Sequence, residues 1–96
     1  MANLNIIEYI TVSTEGNSTD FGDLSTTVYN FPDGCGNGTR AIFAGGTGFG
    51  VTIEFVVVAT TGNSSDFGDL VQTRRNGRSL SNTTLDRGVC GGGSDA

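Results

Sequence analysis

Histidine, lysine and tryptophan are absent from this 96-residue chain, and proline occurs once. Without histidine the chain lacks the commonest general base and the commonest nitrogen ligand for metals. The net charge is −5, and the five arginines are the only cationic side chains. A nucleic-acid-binding surface needs clustered positive charge, and the only cluster, Arg74, Arg75 and Arg78, is better interpreted as a solvated turn or an ion-pair set. We therefore expect no enzyme, no cofactor and no nucleic-acid partner.

Long apolar runs are also missing, since none reaches the roughly 18 residues of a membrane helix. The N-terminus lacks the charged-then-apolar pattern of a signal peptide. We expect no membrane association, and both a virion and the cytoplasm remain compatible locations. Two cysteines, Cys35 and Cys90, give no disulfide framework, and they occupy different places in the internal repeat described below, so we do not expect them to be paired.

Glycine, by contrast, is abundant, with 16 residues that fall between short apolar runs, as tight turns require. No stretch keeps apolar residues at helical spacing, so the fold class predicted is all-β. Ile, Leu, Val and Phe together supply 24 of the 96 residues, which is a thin core for a chain of this length. Small domains bury little of their surface, and a contribution from partner chains is therefore expected.

Internal repetition is the strongest signal in the sequence. Asp20-Phe21-Gly22-Asp23-Leu24 returns unchanged as Asp66-Phe67-Gly68-Asp69-Leu70, an offset of 46. Over residues 7–24 and 53–70, 12 of 18 positions are identical. A later segment, 39–46, matches 86–93 at offset 47, including Arg40 with Arg87 and Gly45-Gly46 with Gly92-Gly93. The chain is thus a single unit of two tandem repeats, at about 5–50 and about 51–96.

Each repeat contains material for four short strands, the number in a propeller blade of roughly 45 residues. The predicted strands are Ile6–Ser13 with Thr52–Ala59, Phe21–Leu24 with Phe67–Leu70, a third near Thr26–Phe31 or the residues just after it, and Arg40–Ala44 with Arg87–Gly91. The run Phe55-Val56-Val57-Val58 is apolar on both faces, which is typical of a strand enclosed between two layers.

These motifs resemble a kelch repeat: an apolar strand ending in Gly45-Gly46, a glycine loop, Ile53-Glu54-Phe55, then Thr61-Gly62-Asn63. They are similar to the kelch-like tandem repeats of phage-encoded proteins. The resemblance departs from the pattern in its lack of Trp, with Phe21 and Phe67 at the aromatic position. The resemblance implies two four-stranded propeller blades per chain. The chain would begin with strands three and four of one blade, continue with a complete blade at about 25–70, and end with strands one and two of another blade at about 71–93.

Two blades cannot close a ring, and the unpaired edges of two half-blades are templates for another chain. We therefore expect the chain to be its own partner, in a head-to-tail homo-oligomer that is either a ring or a filament. A six-bladed trimer is favoured over an eight-bladed tetramer and a four-bladed dimer. A glycan or protein ligand stays open.

Several motifs have both a chemical and an architectural interpretation. The repeated Asp-Phe-Gly lacks every other element of a protein kinase, and the glycine triplets Gly34-x-Gly36-x-Gly38 and Gly46-x-Gly48-x-Gly50 precede no predicted helix that could bind phosphate. The loop carboxylates Asp20, Asp23, Asp66 and Asp69 are weak calcium candidates, because a calcium shell needs six or more oxygens and aspartates commonly fix turns. The repeat residues are therefore interpreted as structural, and no catalytic residue is assigned.

The function expected is a non-enzymatic structural or protein-interaction module that assembles through shared blades, with a virion or surface component as one setting. The alternatives are a multivalent carbohydrate-binding propeller, which the shortage of aromatic side chains disfavours, and a fragment of a longer propeller without a function of its own.

Overall fold

The computed structural model of the chain describes residues 4–28 and 32–94, and within these ranges it contains strands and turns but no helix. Its strands are β1 Leu4–Tyr9, β2 Thr19–Val28, β3 Asp33–Gly36, β4 Arg40–Ala44, β5 Thr52–Val57, β6 Ser65–Asp69, β7 Arg78–Asn82 and β8 Arg87–Gly91. The predicted all-β class is confirmed.

The strands form three small antiparallel sheets, none of which is closed. The first sheet pairs β1 with β2, the second is four-stranded in the order β3-β4-β5-β6, and the third pairs β7 with β8. Every neighbour in a sheet is also the neighbour in sequence, so each connection is a hairpin. In chain order the three sheets contain two, four and two strands.

The strand bounds match the predictions in part. Arg40–Ala44 and Arg87–Gly91 are confirmed as predicted. The prediction of a strand at Ile6–Ser13 was wrong at its C-terminal end, because β1 ends at Tyr9 and a turn follows, closed by a hydrogen bond from Thr14 N to Thr11 O of 3.1 Å.

The other predicted strands also differ from the structure in their bounds or position. The strand predicted at Thr52–Ala59 ends at Val57, where the bond from Thr60 N to Val57 O closes the equivalent turn. The outer strand predicted at Phe21–Leu24 is longer and spans Thr19–Val28. The strand predicted at Phe67–Leu70 spans Ser65–Asp69. The third strand lies just after the predicted range, as β3, since residues 26–28 continue β2 and residues 29–31 lie outside the described part.

Both outer strands carry a β-bulge at the repeated phenylalanine. Glu8 pairs with Asp20 while Ile7 pairs with Gly22, which leaves Phe21 as the extra residue of β2. The second sheet repeats this irregularity, since Glu54 pairs with Asp66 and Ile53 with Gly68. A bulge bends the strand locally and redirects a side chain, so the sequence duplication extends to backbone geometry.

The core lies between the first and second sheets. Ile7, Phe21 and Val56 form a buried cluster, and Leu24, Ala41 and Phe43 pack against it. The buried apolar residues also include Ala44 and Phe49. No equivalent cluster of buried residues occurs between the second and third sheets within residues 4–28 and 32–94. The apolar side chains between the first and second sheets are thus buried in a cluster, whereas those between the second and third sheets are not.

No helix in the described part of the chain is long and apolar enough to cross a membrane.

Candidate functional site

The contact between the first and second sheets joins β2 to the loop before β6. Gly62 N donates to Phe21 O at 2.8 Å, and Ser64 N donates to Asp23 O at 3.0 Å. The side-chain oxygen Oδ1 of Asn63 accepts from Asp23 N at 3.0 Å. The segment Gly62-Asn63-Ser64 therefore satisfies both backbone donors and acceptors of β2, almost as an added strand would.

Close backbone approach makes this contact dependent on glycine. A Cβ atom added at Gly22 would lie 2.0 Å from Gly62 O and 2.9 Å from Asn63 N. Such distances cannot be relieved by a side-chain rotation, because the obstructing atoms are backbone. Gly22 is thus required by the neighbouring sheet and not by its own backbone conformation, since it is not among the residues with positive φ.

Glu54 links the two sheets through hydrogen bonds. Its carboxylate accepts from the hydroxyl groups of Ser25 and Ser64 and from Ser25 N, the last at 3.1 Å. Burial alone would raise the pKa of Glu54, but these donated hydrogen bonds outweigh it and hold the pKa below its ordinary value. The Glu54 carboxylate is therefore ionised at neutral pH and connects β5 to β2 through hydrogen bonds.

The opposite face of the second sheet carries an aromatic pair that no further sheet covers fully. Phe55 and Phe67 meet edge to face with their ring centroids 6.0 Å apart, and the guanidinium carbon of Arg40 lies 4.2 Å from the Phe55 centroid. Tyr9 and Phe21 form the same edge-to-face pair in the first sheet, at 5.9 Å. The equivalent pairs differ in burial, since Phe21 is 7% exposed and Phe67 is 53% exposed.

A cavity of about 390 Å³ separates this face from the third sheet. Its lining includes Cys35, Cys90, Ile42, Ile53, Phe67 and Arg87. The two cysteines are free, although they line the same cavity, which their places in the repeat did not predict. Burial raises the pKa of the Cys35 thiol above its ordinary value, with Cys90 and Asp33 adding to the shift.

The predicted acidic pairs lie on strands and not in loops. Asp20 and Asp23 belong to β2, and Asp66 and Asp69 belong to β6, so the loop assumed for the calcium interpretation was wrong. The four aspartates are exposed. Within the described ranges no three His, Cys, Asp or Glu side chains are grouped so as to hold a metal ion.

The other repeat residues sit at strand ends and turns. Gly45 and Gly46 after β4 have φ of 71° and 82°, and Gly92 and Gly93 after β8 have φ of 74° and 90°, so each doublet turns the chain through a left-handed conformation that favours glycine. Leu24 packs on the core, and Leu70 N donates to Val51 O at 2.7 Å.

Two members of the arginine cluster, Arg74 and Arg75, lie in the connection between β6 and β7, and the third, Arg78, begins β7. Gly46 N donates to Arg74 O at 2.7 Å, and the backbones of Arg75 and Ser94 form a β-bridge with bonds of 2.8 and 2.9 Å. This connection therefore joins the turn after β4 to the segment after β8, an architectural role for the backbone of these residues.

The glycine triplets also lie in strands and turns with no helix after them in residues 4–28 and 32–94.

Sequence reasoning missed Glu54 and Phe49. Glu54 had a signal, because it repeats as Glu8 at the common offset, but its partners lie in another sheet. Phe49 is 4% exposed in the β4–β5 turn, where the surrounding glycines suggested only a loop.

Comparison of the chain with protein-family models, with curated proteins and with solved structures finds no match.

Proposed function

We propose that this chain is a non-enzymatic structural module that assembles with copies of itself through shared kelch-like propeller blades. The observation that carries the proposal is the relation between its sheets. β1 and β2 correspond by the repeat to β5 and β6, and β8 corresponds to β4. β7 pairs antiparallel with β8 as β3 does with β4, so the two end sheets correspond to the two halves of the middle sheet.

Joining copies restores the middle sheet at every junction. The free edge of β8 in one copy pairs with the free edge of β1 in the next, giving the order β7-β8-β1-β2 in place of β3-β4-β5-β6. An exposed strand edge presents unpaired backbone groups that favour this addition. The contact is heterologous, so it continues until a ring closes or a filament forms.

Each copy then contributes two four-stranded sheets, and a closed ring has an even number of them. A trimer with six blades is the preferred assembly. A tetramer would hold eight blades and a dimer four.

Electron microscopy of the purified chain, viewed down the ring axis, tests this function. Disc-shaped particles with an even number of lobes around a central axis are the expected result, six for the trimer. Filaments would support shared sheets without closure. Monodisperse particles of single-chain size, with circular dichroism typical of β-structure, would contradict the proposal.

A further inference from the structure

We propose that the face of the second sheet around Phe67 is the docking surface for residues 7–18 of a second copy of this chain. This docking surface rests on the proposed self-assembly and identifies the residues that would meet between two copies. Its basis is the contact within the chain between the first two sheets, which the 46-residue duplication allows to be repeated between copies.

The apolar part of the surface corresponds residue by residue. Within the chain, Val56 covers Ile7 and Phe21. The equivalents of Ile7 and Phe21, 46 residues later, are Ile53 and Phe67. The equivalent of Val56, 46 residues earlier, is Ile10, which is 63% exposed in its own chain. Ile10 of the second copy therefore covers Phe67.

The backbone part of the surface explains two glycines that their own chain does not require. Among the described residues, nothing lies within 4 Å of a Cβ atom added at Gly16 or at Gly68, and neither has positive φ. They are the equivalents of Gly62 and Gly22, whose backbones meet so closely that a side chain at Gly22 is impossible. A second copy that brings Gly16 against Gly68 reproduces this approach.

The polar part of the contact is a hydrogen-bond network around Glu8, of which a single chain supplies only one donor among the described residues. Ser18 donates to Glu8 as Ser64 does to Glu54. Glu54 has further donors in Ser25, whose equivalent is Val71, so in the assembly Val71 N of one copy donates to Glu8 of the next. By the same correspondence Asn17 of that copy accepts from Asp69 N.

The strand edges give a register for the same contact. Ile42 pairs with Phe55 in the second sheet, and Arg40 lies over that ring. With the offsets of 47 for β8 and 46 for β1, Val89 pairs with Tyr9 of the second copy and Arg87 lies over its ring. The exposed face, the exposed edge and the unexplained glycines thus all fit one occupant, a further copy of this sequence.

Disulfide trapping between copies tests the register. In a Cys35→Ser, Cys90→Ser background, Val89→Cys with Tyr9→Cys places the thiols on directly opposed residues, within reach of a disulfide. Val89→Cys with Asn5→Cys is the matched control, displaced by four residues or about 13 Å along β1. Mild oxidation with copper phenanthroline is expected to link the first pair into covalent multiples on a non-reducing gel, and the second at least about tenfold less.

A pair of alanine substitutions tests the glycine approach. Gly68→Ala is expected to raise the concentration needed for assembly by about tenfold or more, as overpacked contacts do, with unchanged circular dichroism. Gly91→Ala is the control, because nothing lies within 4 Å of its added Cβ and the equivalent residue in the other repeat is Ala44. It should change that concentration by less than about twofold, within the range of a neutral surface substitution.

The outcomes separate the inference from the function on which it rests. Assembly with equal trapping of both cysteine pairs, or equal effects of the two alanines, would overturn the docking geometry while self-assembly stands. A folded single chain at every concentration would overturn both.

Discussion

Phe21 and Phe67 occupy the same bulged position in the two repeats, yet Phe21 is buried and Phe67 is half exposed. The difference arises from the neighbouring sheet, because within residues 4–28 and 32–94 the buried cluster forms on the face that carries Phe21 and not on the face that carries Phe67. The same side chain is therefore a core residue in one repeat and a surface residue in the other, and substitutions at the two positions should affect different properties.

Phe21→Ser should unfold the chain, whereas Phe67→Ser should leave it folded and block assembly. Removing a buried aromatic side chain costs about 3–5 kcal/mol, which is a large part of the stability of a small domain. Thermal unfolding followed by circular dichroism, together with the native mass, measures both effects. Leu85→Ser is the control, since Leu85 is also an exposed apolar residue but lies in the β7–β8 turn and is not among the residues assigned to the contact between copies. Equal loss of assembly in all three variants would contradict this account of Phe67.

Gly22→Ala should destabilise the folded chain, because its added methyl group would overlap the backbone of Gly62. Overpacking of this kind costs about 1–3 kcal/mol or more. Urea unfolding of the variant measures the change, with Gly62→Ala as the control because nothing in the described chain lies within 4 Å of that Cβ position. A Gly22→Ala variant as stable as the unsubstituted chain would show that the two sheets do not approach as described.

Glu54 should make stability depend on pH in the acidic range. The folded chain holds the pKa of Glu54 below its ordinary value of 4.5, so its charged form stabilises the fold above that pH. This contribution is lost as the pH falls through the lowered folded pKa. The free energy of unfolding should therefore exceed that of Glu54→Gln at pH 7, by about 1 kcal/mol for the weakened hydrogen bonds.

The free energies of unfolding of the two proteins should converge as the pH falls below 4.5 and through the lowered folded pKa of Glu54, since protonation then removes the advantage of the carboxylate. Urea titrations at several pH values measure the difference between the variants, which removes the contribution of the other carboxylates. A difference that is constant from pH 7 to pH 3 would contradict the role given to the Ser25 and Ser64 hydrogen bonds.

Cys35 should react slowly with an alkylating agent in the folded chain. Burial raises the pKa of its thiol above the ordinary value of 9.0, and the thiolate is the reactive form. In a Cys90→Ser variant, iodoacetamide at pH 8.5 should modify the native protein at least about tenfold more slowly than the protein unfolded in urea. Equal rates in the two states would show that the cavity does not shield Cys35.

The sequence predicted the strands best where apolar runs end in glycine. Arg40–Ala44 and Arg87–Gly91 were predicted at their observed bounds, because the doublets Gly45-Gly46 and Gly92-Gly93 mark their ends. β1 and β5 were predicted too long, because the apolar residues beyond Tyr9 and Val57 resemble strand although the backbone has already turned.

Features that depend on contacts between distant residues could not be read from the local pattern. The bulge at Phe21 is a property of its pairing with β1, and the partners of Glu54 lie in another sheet. The repeat did indicate that Glu8 and Glu54 share an environment, but only the sheets show which atoms complete it. The burial of Phe49 in a glycine-rich turn likewise has no periodic signal in the sequence.

Light scattering after size exclusion measures the native mass in solution and so distinguishes an assembly through shared sheets from a single folded chain. The expected mass is a multiple of the chain mass of 9.9 kDa, with three copies for the six-bladed ring. A folded, monodisperse species of 9.9 kDa at all concentrations would contradict it.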